Sequence, residues 1–215
     1  MGASDKTKIV RAPKRGFYDK NTIHKILDNN FVCQIAFVHK EHPVIIPTIY
    51  GRYRNCIYVH GATVSRMLVA LEKGVAISLN VTQTDGIVLA RSAFHHSLNY
   101  QSVTLFANAT LVTDEKERIN ALKIISDQII PGRWEEVRLP NSKELKATKI
   151  IKIPISEASA KIRTGPPVDD KKDYDLPVWA GVLPMATTFG EPIADPKLKK
   201  EVTISESVKT RIAND

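Results

Sequence analysis

The stretch from Phe31 to His60 constrains the fold more than any other. It reads "FVCQIAFVHK", "PVIIPTIYGRY" and "CIYVH", three apolar runs of strand length separated only by Glu41-His42 and Arg54-Asn55. β-Branched and aromatic residues fill these runs, as pleated, half-buried segments favour. A parallel return needs a crossover of about a dozen residues, so links of two residues impose antiparallel hairpins. The chain is therefore expected to be built around an antiparallel meander.

The rest of the sequence adds strands and a few helices. Asn21 is placed to cap a short helix through Asn29, with Ile23, Ile26 and Leu27 on one face. Thr63 is expected to cap a helix from Val64 to Lys73 that Gly74 ends. "VAISLNVTQ" and "GIVLA" flank Thr84-Asp85-Gly86, which predicts a hairpin, since Asp-Gly suits the positive φ angles of its turn. "SVTLFANATLVT" follows as a strand. Then Thr113 or Asp114 caps a helix over Glu115–Ile129, with Ile119, Leu122, Ile125 and Ile129 in one stripe and Pro131-Gly132 after it. "TKIIKIPI" is a further strand, followed by "ASAKIRT". Such a pattern predicts a mainly β (α+β) chain closing into a barrel of six-stranded type, which removes exposed sheet edges, with an open α+β sheet as the alternative.

Three parts are expected: a basic tail over 1–14, a barrel domain over 15–164 and an extended arm over 165–215. The arm is rich in proline and charge, yet "LPVWAGVLP" around Trp179 carries apolar residues that free tails lack, so Leu176–Met185 is expected to pack on the barrel or a partner. The 215 residues suit one domain. No apolar run reaches the roughly 20 residues of a membrane span, and the N-terminus has no apolar signal-peptide core. With only Cys33 and Cys56, which read as small core residues, a reducing, cytoplasmic setting is expected.

A net charge of +8 favours anionic partners. Single Trp and scattered Arg residues, as in "PGRWEEVR", do not make a nucleic-acid surface. The sharper signal is "CIYVHGATVSRML". A strand breaks at His60-Gly61, then Ser65 and Arg66 stand where a helix begins. Free helix amides, a hydroxyl and a guanidinium form an anion-binding corner, and cap chemistry with a solvated Arg66 is the plainer alternative. A second polar cluster, "ARSAFHHSLNYQSV", gathers Arg91, His95, His96 and Tyr100. Adjacent histidines on extended chain point to opposite sides, and no carboxylate stands at ligand spacing, so a polar pocket rim is expected there and no metal.

Several stretches together resemble the pyridoxamine 5′-phosphate oxidase-related family of FMN-binding split-barrel proteins, in its flavin-nucleotide-binding or nitroimidazole-resistance-like branch. They are "CIYVHGATVSRML", "GIVLARSAFHHSLNYQSV", "IIPGRWEEVR" and "EASAKIRTGPPVDDKKDYDLPVWAGVLP", within a match from about Arg15 to Val208. The resemblance implies a split β-barrel of Greek-key type with inserted helices, and FMN held at a homodimer interface. It places Pro47 and Thr48 along the flavin and His60 and Gly61 at the strand-end contact. Ser65, Arg66 and Met67 fall on the phosphate-binding stretch, Ser102 at a position often glutamine in true oxidases, and Trp179 on an arm reaching a neighbouring site. Arg91, His95 and Tyr100 would line the substrate side. Met67 replaces a basic residue of true oxidases, and their C-terminal Arg-x-His signature is absent, so flavin binding is implied more firmly than their substrate. An FMN-dependent oxidoreductase is expected, with a non-catalytic flavin carrier or sensor, or a barrel binding haem or another anion, as alternatives.

Overall fold

The computed structural model describes residues 2–213. Its strands are β1 (Gly16–Phe17), β2 (Val32–His39), β3 (His42–Tyr53), β4 (Cys56–Ala62), β5 (Ala76–Leu89), β6 (Ser97–Asn108), β7 (Thr110–Leu111), β8 (Thr148–Pro154), β9 (Glu157–Arg163) and β10 (Gly181–Pro184). The helices are α1 (Lys20–Asp28), α2 (Arg66–Leu71), α3 (Glu115–Ile129), α4 (Ser142–Ala147) and α5 (Glu206–Ala213). All strand pairs are antiparallel, in the order β1-β9-β6-β5-β2-β3-β4-β8-β7, with β10 added to β5. The mainly β split barrel expected from the sequence is what forms.

The long strand β3 makes the split. Its first part, up to Ile49, pairs with β2, and its last, Tyr50–Tyr53, pairs with β4, so one strand passes between two halves of the sheet. The halves enclose one core, in which Cys33, Ile35, Ile57, Leu79, Leu105 and Ile153 are fully buried. Burial pushes the Cys33 thiol up to about 12, which leaves it an inert core group. Helix α1 closes one end. Asp19 caps it by accepting from the Thr22 N–H at 2.8 Å, and Ile23, Ile26 and Leu27 are buried. Buried Tyr50 ties helix to barrel by donating its hydroxyl to the Leu27 carbonyl at 2.6 Å.

Three local expectations need correction, the first being the cap of α1, which is Asp19 and not Asn21, a residue inside the helix. Residues Thr84-Asp85-Gly86 make no hairpin: β5 runs straight through them, with a β-bulge against β6 between Thr84 and Gly86. The true turn lies beyond Leu89, where a short 3₁₀ segment, Ala93–His95, joins β5 to β6. Asp85 serves the bulge instead, accepting from the Gln83 and Gln101 side chains at 2.9 and 3.1 Å. Likewise α2 is shorter than expected and is entered through Ser65, not Thr63, whose N–H is donated to the Ala147 carbonyl at the end of α4. Asp114 caps α3 as anticipated, at 2.8 Å from the Glu117 N–H.

The arm packs on the barrel. β2 occupies one edge of β5 only at Ile77–Asn80, and β10 pairs with the remainder of that edge at Gly86–Leu89, so the arm covers backbone that would otherwise stay open. At its base, buried Asp169 accepts the backbone N–H groups of Arg91 and Ser92 at 3.0 and 3.2 Å. At its far end α5 docks through Glu136, which accepts from the backbone N–H and the hydroxyl of Ser207.

That last contact is pH-sensitive. The Ser207 hydroxyl and then its N–H, aided by Ser205 and Arg133, hold the Glu136 carboxyl at about 2, below its ordinary 4.5. A depressed carboxylate stabilises the docked state fully above its unfolded pKa and loses that contribution as pH falls through the folded one. Amide protection of Glu206–Ala213 is thus expected to decline between about pH 4.5 and 2. A Glu136→Gln variant should show weaker protection at neutral pH and no such step. Protection that is flat with pH in the unmodified protein would contradict the contact. Among the described residues no helix is long and apolar enough to cross a membrane.

Candidate functional site

Strand β4 alternates between two environments. Ile57 and Val59 face the barrel core, whereas Tyr58 packs with α3 residues Ala121 and Ile125 outside it. His60, two positions after Tyr58, continues on that outer side. It lines a cavity of about 480 Å³, within the roughly 300–1,000 Å³ of small-molecule and cofactor pockets. Leu122, Ile125 and Ile129 of α3 form one wall, and Trp134 and Pro140 of the following segment form another. Helix α3 presents these residues because its stripe faces β3 and β4. Gly132 (φ +84°) then turns the chain so that the 3₁₀ segment Arg133–Glu136 folds back.

The imidazole is the one titratable nitrogen ligand in this cavity. Its Nδ1 is buried with no hydrogen-bond partner. Burial also lowers the pKa of His60, which favours the neutral ring. Nε2 is not among the buried atoms without a partner, so it is the ring nitrogen open to the cavity. At the rim Arg138 holds Glu144 with both terminal nitrogens, at 2.8 and 2.5 Å. Such a chamber suits a flat apolar group with a metal to ligate and a charged edge.

The other expected site residues fall into separate groups. Ser65 precedes α2 with its hydroxyl making no cap hydrogen bond, and Arg66 is exposed, while Met67 points into the core. Beside them is a cleft of about 260 Å³ lined by Thr63, Thr113, Arg118, Lys146, Thr148 and Lys149, a cationic, hydroxyl-rich corner. Gly61 packs on Leu68, whose Cδ1 lies 3.0 Å from where a Cβ would be. Pro47 and Ser102 lie on the outer face of the sheet, Pro47 opposite Gln34 and Ser102 opposite Thr82 and Lys161. Thr48 lies opposite buried Cys33 and so belongs to the inner face, which separates it from Pro47.

The expected substrate-side residues serve the arm. Arg91 pairs with Asp169 at 3.2 Å and stacks on Tyr174 at 4.8 Å, and His95 lies 3.7 Å from Asp170. Tyr100 sits on β6 opposite buried Arg163. Trp179 is 68% exposed, with its ring edge against Gly181. A larger cavity of about 540 Å³ lies under the arm beside Phe31, Val32, Met185 and Phe189, away from all these residues. Sequence reasoning missed Trp134 and the α3 wall as partners of His60. Only the apolar stripe of α3 hinted at them.

The model of the pyridoxamine 5′-phosphate oxidase family matches residues 19–162. The chain belongs to this family. The solved structure of the flavocytochrome Anf3 from Azotobacter vinelandii is similar over 97% of both chains, at 36% identity and a TM-score of 0.91. An FAD- and haem-binding protein from Mycobacterium smegmatis is 33% identical over 92% of this chain and 97% of its own, with a TM-score of 0.88. At 18% identity and a TM-score of 0.56, a structure from Bacteroides thetaiotaomicron described as a candidate 5-nitroimidazole antibiotic resistance protein shares the fold, over 68% of this chain and 86% of its own. No curated protein matches the chain. Within the pyridoxamine 5′-phosphate oxidase family, the two long matches include the arm, which lies beyond the family model's last residue.

Proposed function

We propose that this protein is a cytoplasmic redox enzyme holding both a flavin and a haem, with the haem in the cavity above His60. The observation that carries the haem assignment is the position of a His60 imidazole, its pKa lowered by burial, on the wall of a largely apolar cavity. The names of the two full-length relatives, a flavocytochrome and an FAD- and haem-binding protein, support it. His60 would supply a nitrogen ligand, and Leu122, Ile125, Ile129 and Trp134 would line the macrocycle. Flavin and haem together supply one- and two-electron transfer, and the protein contributes position and electrostatics.

The flavin is assigned to a separate cleft, next to this cavity along β4 and β8. Its phosphate would lie at the corner of Ser65 and Arg66, near a cleft to which Lys146 adds positive charge, Lys149 being paired with Glu72 at 2.7 Å. Its ring would lie on the outer sheet face that carries Pro47. We assign FAD rather than the FMN implied by the first resemblance, on the name of the M. smegmatis relative. On that same face Val32, Val38, Ile45 and Ile49 are exposed side by side on β2 and β3. A contiguous apolar patch of this kind on a sheet marks a contact surface, and we assign it to a second copy of the chain, as a homodimer. Trp179, largely exposed on the arm, is then free to reach the neighbouring flavin.

The first test is the absorbance of the purified chain after addition of FAD and haemin. Both a flavin spectrum and a Soret band are expected, and a protein that takes up neither would refute the assignment. Replacing Arg66 by Ala should weaken flavin by about 1.5–3 kcal/mol, the scale of a hydrogen bond to a charged group, without changing haem uptake. Equal flavin affinity in the two proteins would remove Arg66 from the site.

A further inference from the structure

Resting on the haem assignment above, we infer that His60 is the sole protein ligand to the iron and that the opposite coordination position is open to a small neutral ligand, such as carbon monoxide or nitric oxide. The chain has few side chains able to act as a second strong ligand: six histidines, two cysteines and three methionines. Among the described residues, none but His60 lines this cavity. His24 is on α1, His39 and His42 are at the β2–β3 turn, and His95 and His96 are in the β5–β6 connection. Cys33 and Met67 are sealed in the barrel core, and Met185 is in the arm, lining a different cavity. Cys56 faces the side of α3 nearer its N-terminus, with buried Tyr58 standing between it and His60 along β4.

The polar groups that do line the cavity are committed elsewhere. Glu144 accepts from both terminal nitrogens of Arg138 and also from the Asn141 N–H at 2.9 Å, where it completes the capping box of α4. Removing its carboxylate to an iron would undo three hydrogen bonds. Lysine is absent from the lining, and the nearest one on α3, Lys123, pairs with Asp127 and Glu135. What remains of the lining is hydrocarbon, the Trp134 indole and the Ser126 hydroxyl. An apolar wall whose one cation is already neutralised stabilises no anionic ligand, whereas a diatomic molecule without charge pays no desolvation cost to enter.

The experiment is a spectrum of the full chain loaded with FAD and haemin, reduced with dithionite and titrated with carbon monoxide. A five-coordinate, high-spin ferrous spectrum is expected, with uptake of one equivalent at a rate proportional to carbon monoxide concentration. A low-spin, six-coordinate ferrous spectrum, with uptake at a rate independent of concentration, would overturn the inference, because a second protein ligand would then have to leave first. That result would leave the haem assignment standing, whereas a chain that retains no haem would remove both. A His60→Gly variant, checked for folding by its retained flavin, should lose haem and regain it when imidazole is added. An unchanged spectrum in that variant would mean that another residue ligates the iron, and would overturn the inference as well.

Discussion

Replacing Gly51 by alanine is expected to lift α3 off the sheet and, on the proposed haem assignment, to weaken haem binding. Gly51 lies on β3 opposite Tyr58, on the side that faces α3. A Cβ added there would stand 2.7 Å from the Ile125 nitrogen and 2.8 Å from the carbonyl carbon and oxygen of Ile124. These are helix backbone atoms, which cannot swing aside as a side chain does, so the whole helix must move. Its C-terminal half is also fastened by Gln128, which accepts the Arg52 N–H at 3.2 Å and donates to the Leu27 and Asn30 carbonyls at 3.1 and 2.7 Å. Movement of the helix strains those bonds and displaces Leu122, Ile125 and Ile129, one wall of the His60 cavity. Overpacking of this kind costs about 1–3 kcal/mol. A lower denaturation midpoint is expected, with haem affinity reduced at least tenfold and flavin affinity retained. A Gly51→Ala protein with the stability and haem affinity of the original would show that α3 does not set the cavity.

The cavity also shows what was legible in the sequence and what was not. Strand-length apolar runs with two-residue links dictated the β2–β3–β4 meander, periodicity located α1 although its cap is Asp19 and not Asn21, and Asp114 with the apolar stripe located α3. Alternation along β4 even places Tyr58 and His60 on one side. It does not say what they meet. The walls around His60 come from residues more than sixty positions later in the chain, and a periodic pattern reveals the face of an element without naming its neighbour. Pro47 and Thr48 illustrate the converse. Both were expected along the flavin, yet consecutive strand residues point to opposite faces, and the burial of Cys33 opposite Thr48 assigns that hydroxyl to the inner one. Arg91 and His95 read as a pocket rim because polar residues crowd that segment. Their partners, Asp169, Asp170 and Tyr174, lie in an arm whose path only tertiary structure reveals.

The Asp85-Gly86 pair misled for a physical reason, and that reason supplies the second large effect. Asp-Gly favours a turn when nothing else competes, but here Gly86 is buried where β10 crosses it. A Cβ on Gly86 would lie 2.9 Å from the Leu183 carbonyl oxygen and from Val182 Cγ1, and 3.3 Å from the Pro184 Cα. Glycine stands there so that the arm can approach, not so that the chain can reverse. Replacing Gly86 by valine is therefore expected to expel β10 from the edge of β5, releasing the four paired residues from Gly181 to Pro184. Limited proteolysis should then cut between Gly165 and Met185, where the original protein resists. Because Trp179 immediately precedes β10 and is assigned to a neighbouring flavin, flavin affinity should fall at least tenfold. The haem at His60, enclosed by α3 and the segment after it, should stay. Gly190→Ala, where a Cβ meets nothing within 4 Å, is the matched control and should behave as the original does. Loss of haem with retention of flavin in the Gly86→Val protein would reverse the assignment of the two cofactors. Retention of both, with the arm cut, would remove Trp179 from the flavin site and leave β10 as a cover for the β5 edge alone.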